Sequence, residues 1–495
     1  MNKQQNPSLW RWAEDCPVLH PEATKDFILP DSYPDIHRIL YTTAECIPGK
    51  TVLSGGKLQT DGILRCQVLF ADEEGILHET DFQMDYYGQM PYSADEEQTC
   101  FAVQTETESI TARALNPRKL ALRGKVTVFP LLFYRCESNP RLSPELSEMT
   151  LEKKLAGFTS WQIDSWSEQG IEAGEDLSLT HEAPMGRLIY NRLNLQVETC
   201  NGGEGEIRFS GTGILSLIYS TPEGQLRTAD LSFPIQSSVR GDVTTDALCR
   251  VTLTPEVVSV VASEDATGEV KGVELDFTYS MQATAAKRST AVYPIDCYAI
   301  DAPTRVEEER VVLLGELREI SREYSQTMEG DSDGMTELLR GYAKVYTDSR
   351  EQTQRGTLLH LTAQVTLVGK DKENLPMSLQ LVEHFTMECD APRVGWETFS
   401  ATPSVLIDGD CVKIRLQGRM DAYAMKAEEA TYVGAVLPTE DRLSSAKDSM
   451  TLCYPAPGET LWQIAKRYRT TERALLAANS LGEGELPPVL LVPRG

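Results

Sequence analysis

Residues 62–70 (GILRCQVLF) and 211–219 (GTGILSLIY) carry one apolar pattern at a spacing of 149 residues. The same spacing takes Gly75 to Gly224, Phe82 to Leu231, Met84 to Phe233 and Cys100 to Cys249, and a spacing of 150 takes Pro34 to Pro184. A third copy is fainter. Ile39-Leu40 corresponds to Leu338-Leu339 at a spacing of 299, Ala44 to Ala343 and Gly75 to Asn374. After Gly, Asn is among the residues that best tolerate a left-handed backbone, so the turn chemistry survives the replacement. Such long-range self-similarity means one structural unit used three times, and it limits the folds open to the chain.

Each copy reads as β-rich. Val273, Leu275, Phe277, Tyr279 and Met281 alternate with Glu274, Asp276, Thr278, Ser280 and Gln282, and Val412, Ile414 and Leu416 alternate with Lys413, Arg415 and Gln417. Period-two alternation buries one face and wets the other. Gly75 and Gly224 sit between two such runs, as hairpin turns require. The fold class expected is therefore mainly β: three repeated antiparallel β-sandwich or barrel-like domains, followed by a small tail. The divisions are an N-terminal segment 1–26, repeats 27–137, 176–300 and 326–430, connectors 138–175 and 301–325, a linker 431–450 and the tail 451–495. The connectors are polar and acidic, with Glu307-Glu-Glu-Arg310 and residues 329–334 (EGDSDG), and read as solvated loops between beads. Residues 151–156 (LEKKLA) read as a short helix.

Composition narrows the function classes. The net charge of −27 repels phosphate backbones and anionic headgroups, so no nucleic-acid partner is expected. No apolar run reaches the roughly 18 residues of a membrane helix. The 11 cysteines are dispersed with no C-x-x-C pair, which argues against a disulfide framework or zinc site and for reduced thiols. The segment 1–12 is polar and lacks an apolar signal core, giving the expectation of a cytoplasmic protein. The six histidines are isolated, and neither a Gly-x-Ser-x-Gly elbow nor a phosphate loop is present. The expectation is no enzyme, no metal and no cofactor.

The tail has its own logic. Thr460 to Gln463 fits a capping box, with Pro457-Gly458 turning into it. Leu461, Ile464, Ala465 and Tyr468 form one helical stripe, and Trp462, Lys466 and Arg469 another. A second helix is expected from Thr470 or Thr471 to Asn479, and a closing strand over 489–492. The tail holds five basic residues against four acidic ones, so it is +1 and the remainder −28. Trp462 among basic residues suits an interface hot spot; it equally suits a ring packed on the helix pair.

The order of residues 457–468 (PGETLWQIAKRY), Thr470-Thr471, Asn479 and residues 490–493 (LLVP) resembles a LysM domain, a β-α-α-β unit that usually binds cell-wall glycan. By that resemblance Gly458, Glu459, Thr460, Trp462, Lys466, Arg467, Arg469 and Asn479 are the partner- or glycan-binding residues. The loop Ser480 to Glu485 and Pro487-Pro488 depart from the usual Asn-Pro and Pro-Gly-Gln of that family. With residues 30–40 (PDSYPDIHRIL) as the entry to each repeat, the combination resembles the SipL/SpoVID-like spore coat morphogenetic proteins. That resemblance implies a mother-cell protein at the forespore surface whose LysM docks on the SpoIVA-like coat ATPase, among other coat proteins. The alternative is a peptidoglycan binder recognising N-acetylglucosamine glycan.

Overall fold

The computed structural model describes residues 8–14, 16–92, 99–179, 182–264, 268–439, 450–481 and 486–493. It is mainly β, and the repeat is explicit in it. The first unit contains β1 (Trp10–Trp12), β2 (Glu22–Ile28), β3 (Arg38–Ser54), β4 (Lys57–Ala71), β5 (Leu77–Pro91), β6 (Thr99–Asn116) and β7 (Lys119–Arg135). After the short β8 (Arg141–Leu142), the second contains β9 (Leu151–Ser178), β10 (Arg187–Gly202), β11 (Glu206–Ser220), β12 (Leu226–Arg240), β13 (Leu248–Glu264) and β14 (Val270–Ala299). The third contains β15 (Thr304–Asp331), β16 (Met335–Thr353), β17 (Gly356–Asp371), β18 (Pro376–Cys389), β19 (Arg393–Asp408) and β20 (Cys411–Pro438).

One topology occurs three times. A meander β3-β4-β5, β10-β11-β12 or β16-β17-β18 packs on a second sheet, in which the last strand of the unit pairs with both the first and the penultimate one: β2-β7-β6, β9-β14-β13 and β15-β20-β19. Strands β4, β11 and β17 begin at Lys57, Glu206 and Gly356, within one residue of the spacing read from sequence. Each pair of sheets encloses its own apolar core, through Leu64, Cys66, Phe70 and Val128 in the first unit, Leu215, Leu217, Leu275 and Ala283 in the second, and Leu361, Val365, Ile414 and Leu416 in the third.

The repeated turn behaves as its chemistry requires. Gly75, Gly224 and Asn374 have φ of 77°, 83° and 62°. Their amides donate to the carbonyls of Asp72, Thr221 and Asp371. The Asp72 and Asp371 carboxylates each accept two further amides across the same turn. Asn replaces Gly in the third copy because the surrounding hydrogen bonds hold the left-handed residue in place.

Three expectations are corrected. Residues 151–156 are not helical; they open β9, where Leu151 to Leu155 lie opposite Ala299 to Pro294 of β14. Nor are the connectors solvated loops. Residues 304–331 form one strand along β20, burying Val311, Leu313, Leu317, Tyr324 and Met328 while their acidic neighbours face water. Pairing with a distant partner overrides local helix preference, and the acidic residues that suggest a linker occupy the wet face of a long ribbon. The linker expected at 431–450 starts later, since β20 runs to Pro438; residues 440–449 lie outside the described residues.

The units are not beads. In each, a bulge interrupts the pairing of the first meander strand, between Ile39 and Tyr41, Leu188 and Tyr190, and Leu338 and Arg340. The extra residue (Leu40, Ile189 or Leu339) leaves its own core and turns outward. These three meet with Leu69, Ile218 and Val368, which also occupy equivalent positions, in one cluster shared by the three units. Tyr41, Tyr190 and Tyr342 pack in it, with Tyr41 and Tyr342 stacked at 3.9 Å. A second shared cluster, including Trp12, Phe133, Ala286, Trp396 and Tyr423, joins the three larger sheets.

Two predictions follow from this packing. Ile189 is 7% exposed while Ile28 is 74% exposed, so Ile189→Ala is expected to cost about 2–4 kcal/mol and Ile28→Ala little, measured by urea unfolding. Glu79 sits between the first two units, accepting from Asn191 N–H at 3.0 Å and Gln67 Nε2 at 2.7 Å. Burial, aided by the Asp81 charge, pushes its carboxyl from 4.5 up to about 8. A pKa raised on folding gives stability that is full below 4.5 and lost as pH rises toward 8. Glu79→Gln should flatten that decline, read as urea midpoints across the interval.

Candidate functional site

Beyond the second sandwich β14 continues as one arm of a ribbon with β9. Along its length it enters successive clusters: Ala286 in the seam of the large sheets, Ala291 and Tyr293 with Leu9, Val311 and Tyr432, then Cys297 with Leu146 and Val436. Tyr298 ends the series by packing against the tail. The ribbon is thus a stem with the tail at its tip.

The tail folds as β21 (Met450–Cys453), α1 (Leu461–Tyr468), α2 (Glu472–Asn479) and β22 (Leu490–Pro493), with the two strands antiparallel. The capping box is present: Thr460 Oγ1 accepts from Gln463 N–H and the Gln463 side chain accepts from Thr460 N–H at 2.8 Å. Thr471 caps α2 through Ala474 N–H at 2.9 Å. Cys453, Ile464, Ala465, Leu475, Leu490 and Val492 form the core, as the first stripe required.

Two members of the second stripe, Trp462 and Lys466, reach β14. Trp462 is 6% exposed, and its indole N–H donates to Asp296 Oδ2 at 2.7 Å. Lys466 Nζ donates to Asp296 Oδ1 at 2.6 Å. The Tyr298 ring meets Trp462 edge-on at 5.0 Å, and its hydroxyl donates to the Thr470 carbonyl at 2.6 Å. One carboxylate of β14 therefore holds the indole and ammonium together, a charge-assisted arrangement at the strong end for hydrogen bonds. Trp462 thus lies at a contact within the chain, between the tail and β14.

The other residues singled out in the tail have local tasks. Gly458 takes φ 79° in open space, as the turn into Thr460 needs. The Glu459 carboxylate accepts from Ala456 N–H at 3.0 Å and pairs with Arg467. Arg469 closes α1 in the left-handed conformation at φ 52°. Asn479 clamps β22 to α2: its amide donates to the carbonyls of Leu475 and Leu491, and its carbonyl accepts from Leu491 N–H at 2.6 Å. Of the eight expected binding residues, the fold brings Trp462 and Lys466 together on Asp296. Gly458, Glu459 and Thr460 form the loop into α1, Arg467 in the last turn of α1 pairs with Glu459, and Arg469 and Asn479 stand apart. Residues 482–485, the departing loop, lie outside the described residues.

Sequence reasoning missed two features. Asp296 and Tyr298 are some 166 and 172 residues from their partners, with only a strand alternation to mark them. The outer face of the tail's two-stranded sheet was missed as well. Met450, Leu452 and Tyr454 are 60%, 56% and 70% exposed, and Leu491, opposite Leu452, is 40% exposed. The signal was there in the alternation of residues 450–454 (MTLCY), whose buried member is Cys453.

The comparisons bear on the tail alone: residues 456–488 match the LysM domain family. No curated protein and no solved structure matches this chain. Among the described residues no cluster of metal-ligating side chains occurs and no helix is long and apolar enough to cross a membrane. A LysM domain points to binding of peptidoglycan glycan or of protein.

The seat of the tail is testable. Asp296→Ala is expected to speed amide exchange in α1 and leave the exchange of β10 to β12 unchanged, by hydrogen-exchange mass spectrometry. The partly exposed pair contributes about 1 kcal/mol or a little more.

Proposed function

We propose that the chain is a non-enzymatic assembly adaptor of the spore coat, acting in the mother-cell cytoplasm at the forespore surface. Its LysM domain docks on a SpoIVA-like ATPase of the coat basement layer, and the acidic body spaces that contact from other coat proteins. The observation that carries this reading is the apolar, exposed face formed by Met450, Leu452, Tyr454 and Leu491 at the tip of the stem. Glycan recognition needs polar groups that pair with sugar hydroxyls, whereas a contiguous apolar patch on a small module suits a protein surface. The Trp462 and Lys466 face, occupied by Asp296, supports the same assignment by orienting the module rather than recognising the partner.

The family match of residues 456–488 favours the second reading, a peptidoglycan binder for N-acetylglucosamine glycan. Two measurements separate them. The adaptor reading expects Leu452→Asp to reduce co-purification with the coat ATPase at least about tenfold, as loss of a central apolar contact does, with the far-ultraviolet spectrum unchanged. It expects no pelleting of the full chain with purified peptidoglycan. Strong pelleting, together with unaltered ATPase capture by Leu452→Asp, would overturn it in favour of the glycan.

A further inference from the structure

The outer faces of the three larger sheets share one plan but differ in charge. In the second unit Glu274 and Asp276 point away from the core that Val273, Leu275 and Phe277 enter from the same strand. Cross-strand partners share a face. Glu274 therefore lies between Val261 of β13 and Asp176 of β9, Asp276 between Ser259 and Gly174, and Thr278 between Val257 and Glu172. These rows hold four carboxylates and no cation. Val257 and Val261 are each more than half exposed beside them. Glu274 and Asp176 stand directly opposite each other, and like charges so placed destabilise a sheet. None of the four carboxylates makes an ion pair among the described residues.

The last strands of the other two units carry cations on the corresponding face. In the first unit these are already engaged by their own sheet: Arg123 pairs with Glu22 and Lys119 with Asp26, both at 2.7 Å. In the third unit Lys413 lies between Leu406 and Glu329, and Arg415 between Ser404 and Thr327. Both cations are exposed, neither makes an ion pair among the described residues, and Leu406 is more than half exposed. Two sheets of one topology, with aliphatic side chains set among charges of opposite sign, are complementary to each other. Within one chain they are joined at the seam through Ala286 and Tyr423, and no ion pair links their outer faces among the described residues. At about 0.15 M salt, charge interactions fade beyond about 8 Å, so the overall charge of −27 leaves a local contact of opposite charges intact.

We propose that copies of this chain associate by setting the outer face of the second unit's larger sheet in one copy against that of the third unit's in the next. The contact joins two different faces, so each copy keeps one face of either kind open. Such a heterologous contact builds a chain or a ring. It involves neither the tail nor its partner, and it stands or falls separately from the adaptor role.

Sedimentation velocity of the full chain across the micromolar range, in physiological salt, tests it. The expected result is concentration-dependent association. Lys413→Glu with Arg415→Glu weakens it at least about tenfold, and so does Glu274→Lys with Asp276→Lys, because each brings like charges together. The second pair takes the net charge from −27 to −23, so its dissociation is not a matter of overall repulsion. Mixing the two variants restores association, since each supplies the charge that the other has lost. An unchanged far-ultraviolet spectrum shows that these exposed substitutions leave the fold in place. A monomer at every concentration overturns the proposal. Association that persists in both variants also overturns it, because the copies then meet elsewhere, as on the apolar face of the tail. Failure of the mixture to associate does the same, because the two faces are then not partners.

Discussion

The arrangement of the three sandwiches depends on the bulge in the first meander strand of each unit. Strand periodicity is two, so one extra residue changes which face a side chain occupies. Without it, Leu40, Ile189 and Leu339 would alternate into their own cores. With it, each unit offers an aliphatic side chain on its outer surface, beside an equivalent residue of the next strand. Six such side chains make a contact that no unit completes alone. That contact gathers inward edge strands which would otherwise be open to pairing with other chains, and burying an edge is one way proteins suppress such pairing.

The second organising element is the length of the last strand in each larger sheet. β14 and β20 extend past their sandwiches and keep a single long partner, β9 or β15. The ribbons bury successive small clusters rather than one core. Tyr293, Tyr432 and Leu9 fill the middle of the stem, and the Tyr293 hydroxyl both accepts from Leu9 N–H and donates to the Cys136 carbonyl. The LysM domain rests on the last of these clusters, fixed by a carboxylate that reads one indole and one ammonium.

Much of this was legible in sequence. The spacing of 149 residues located equivalent strands, Gly75, Gly224 and Asn374 marked a real left-handed turn, and the capping box at Thr460 formed as written. What escaped depended on partners far away in the chain. The acidic stretch after Thr304 reads as a loop because its charges are conspicuous, while the alternating Val311, Leu313 and Leu317 gain meaning only from β20. The sequence match of Leu40 with Leu339 could not reveal that both point away from their cores, since a bulge has no fixed residue signature. Trp462 was singled out for a partner outside the chain or for its own helix pair, and nothing near it in sequence names Asp296 as the group that its indole meets.

The route of the polypeptide into the LysM domain has a mechanical side. The chain leaves β20 at Pro438 to reach β21, and β20 lies antiparallel against β15 from Thr304 to Asp331. A load directed along the strand axis of β20 would be shared in shear by the rungs of that ladder rather than opening them one after another. The β15–β20 ribbon is built like a tension member, in which all the rungs resist a lengthwise pull together.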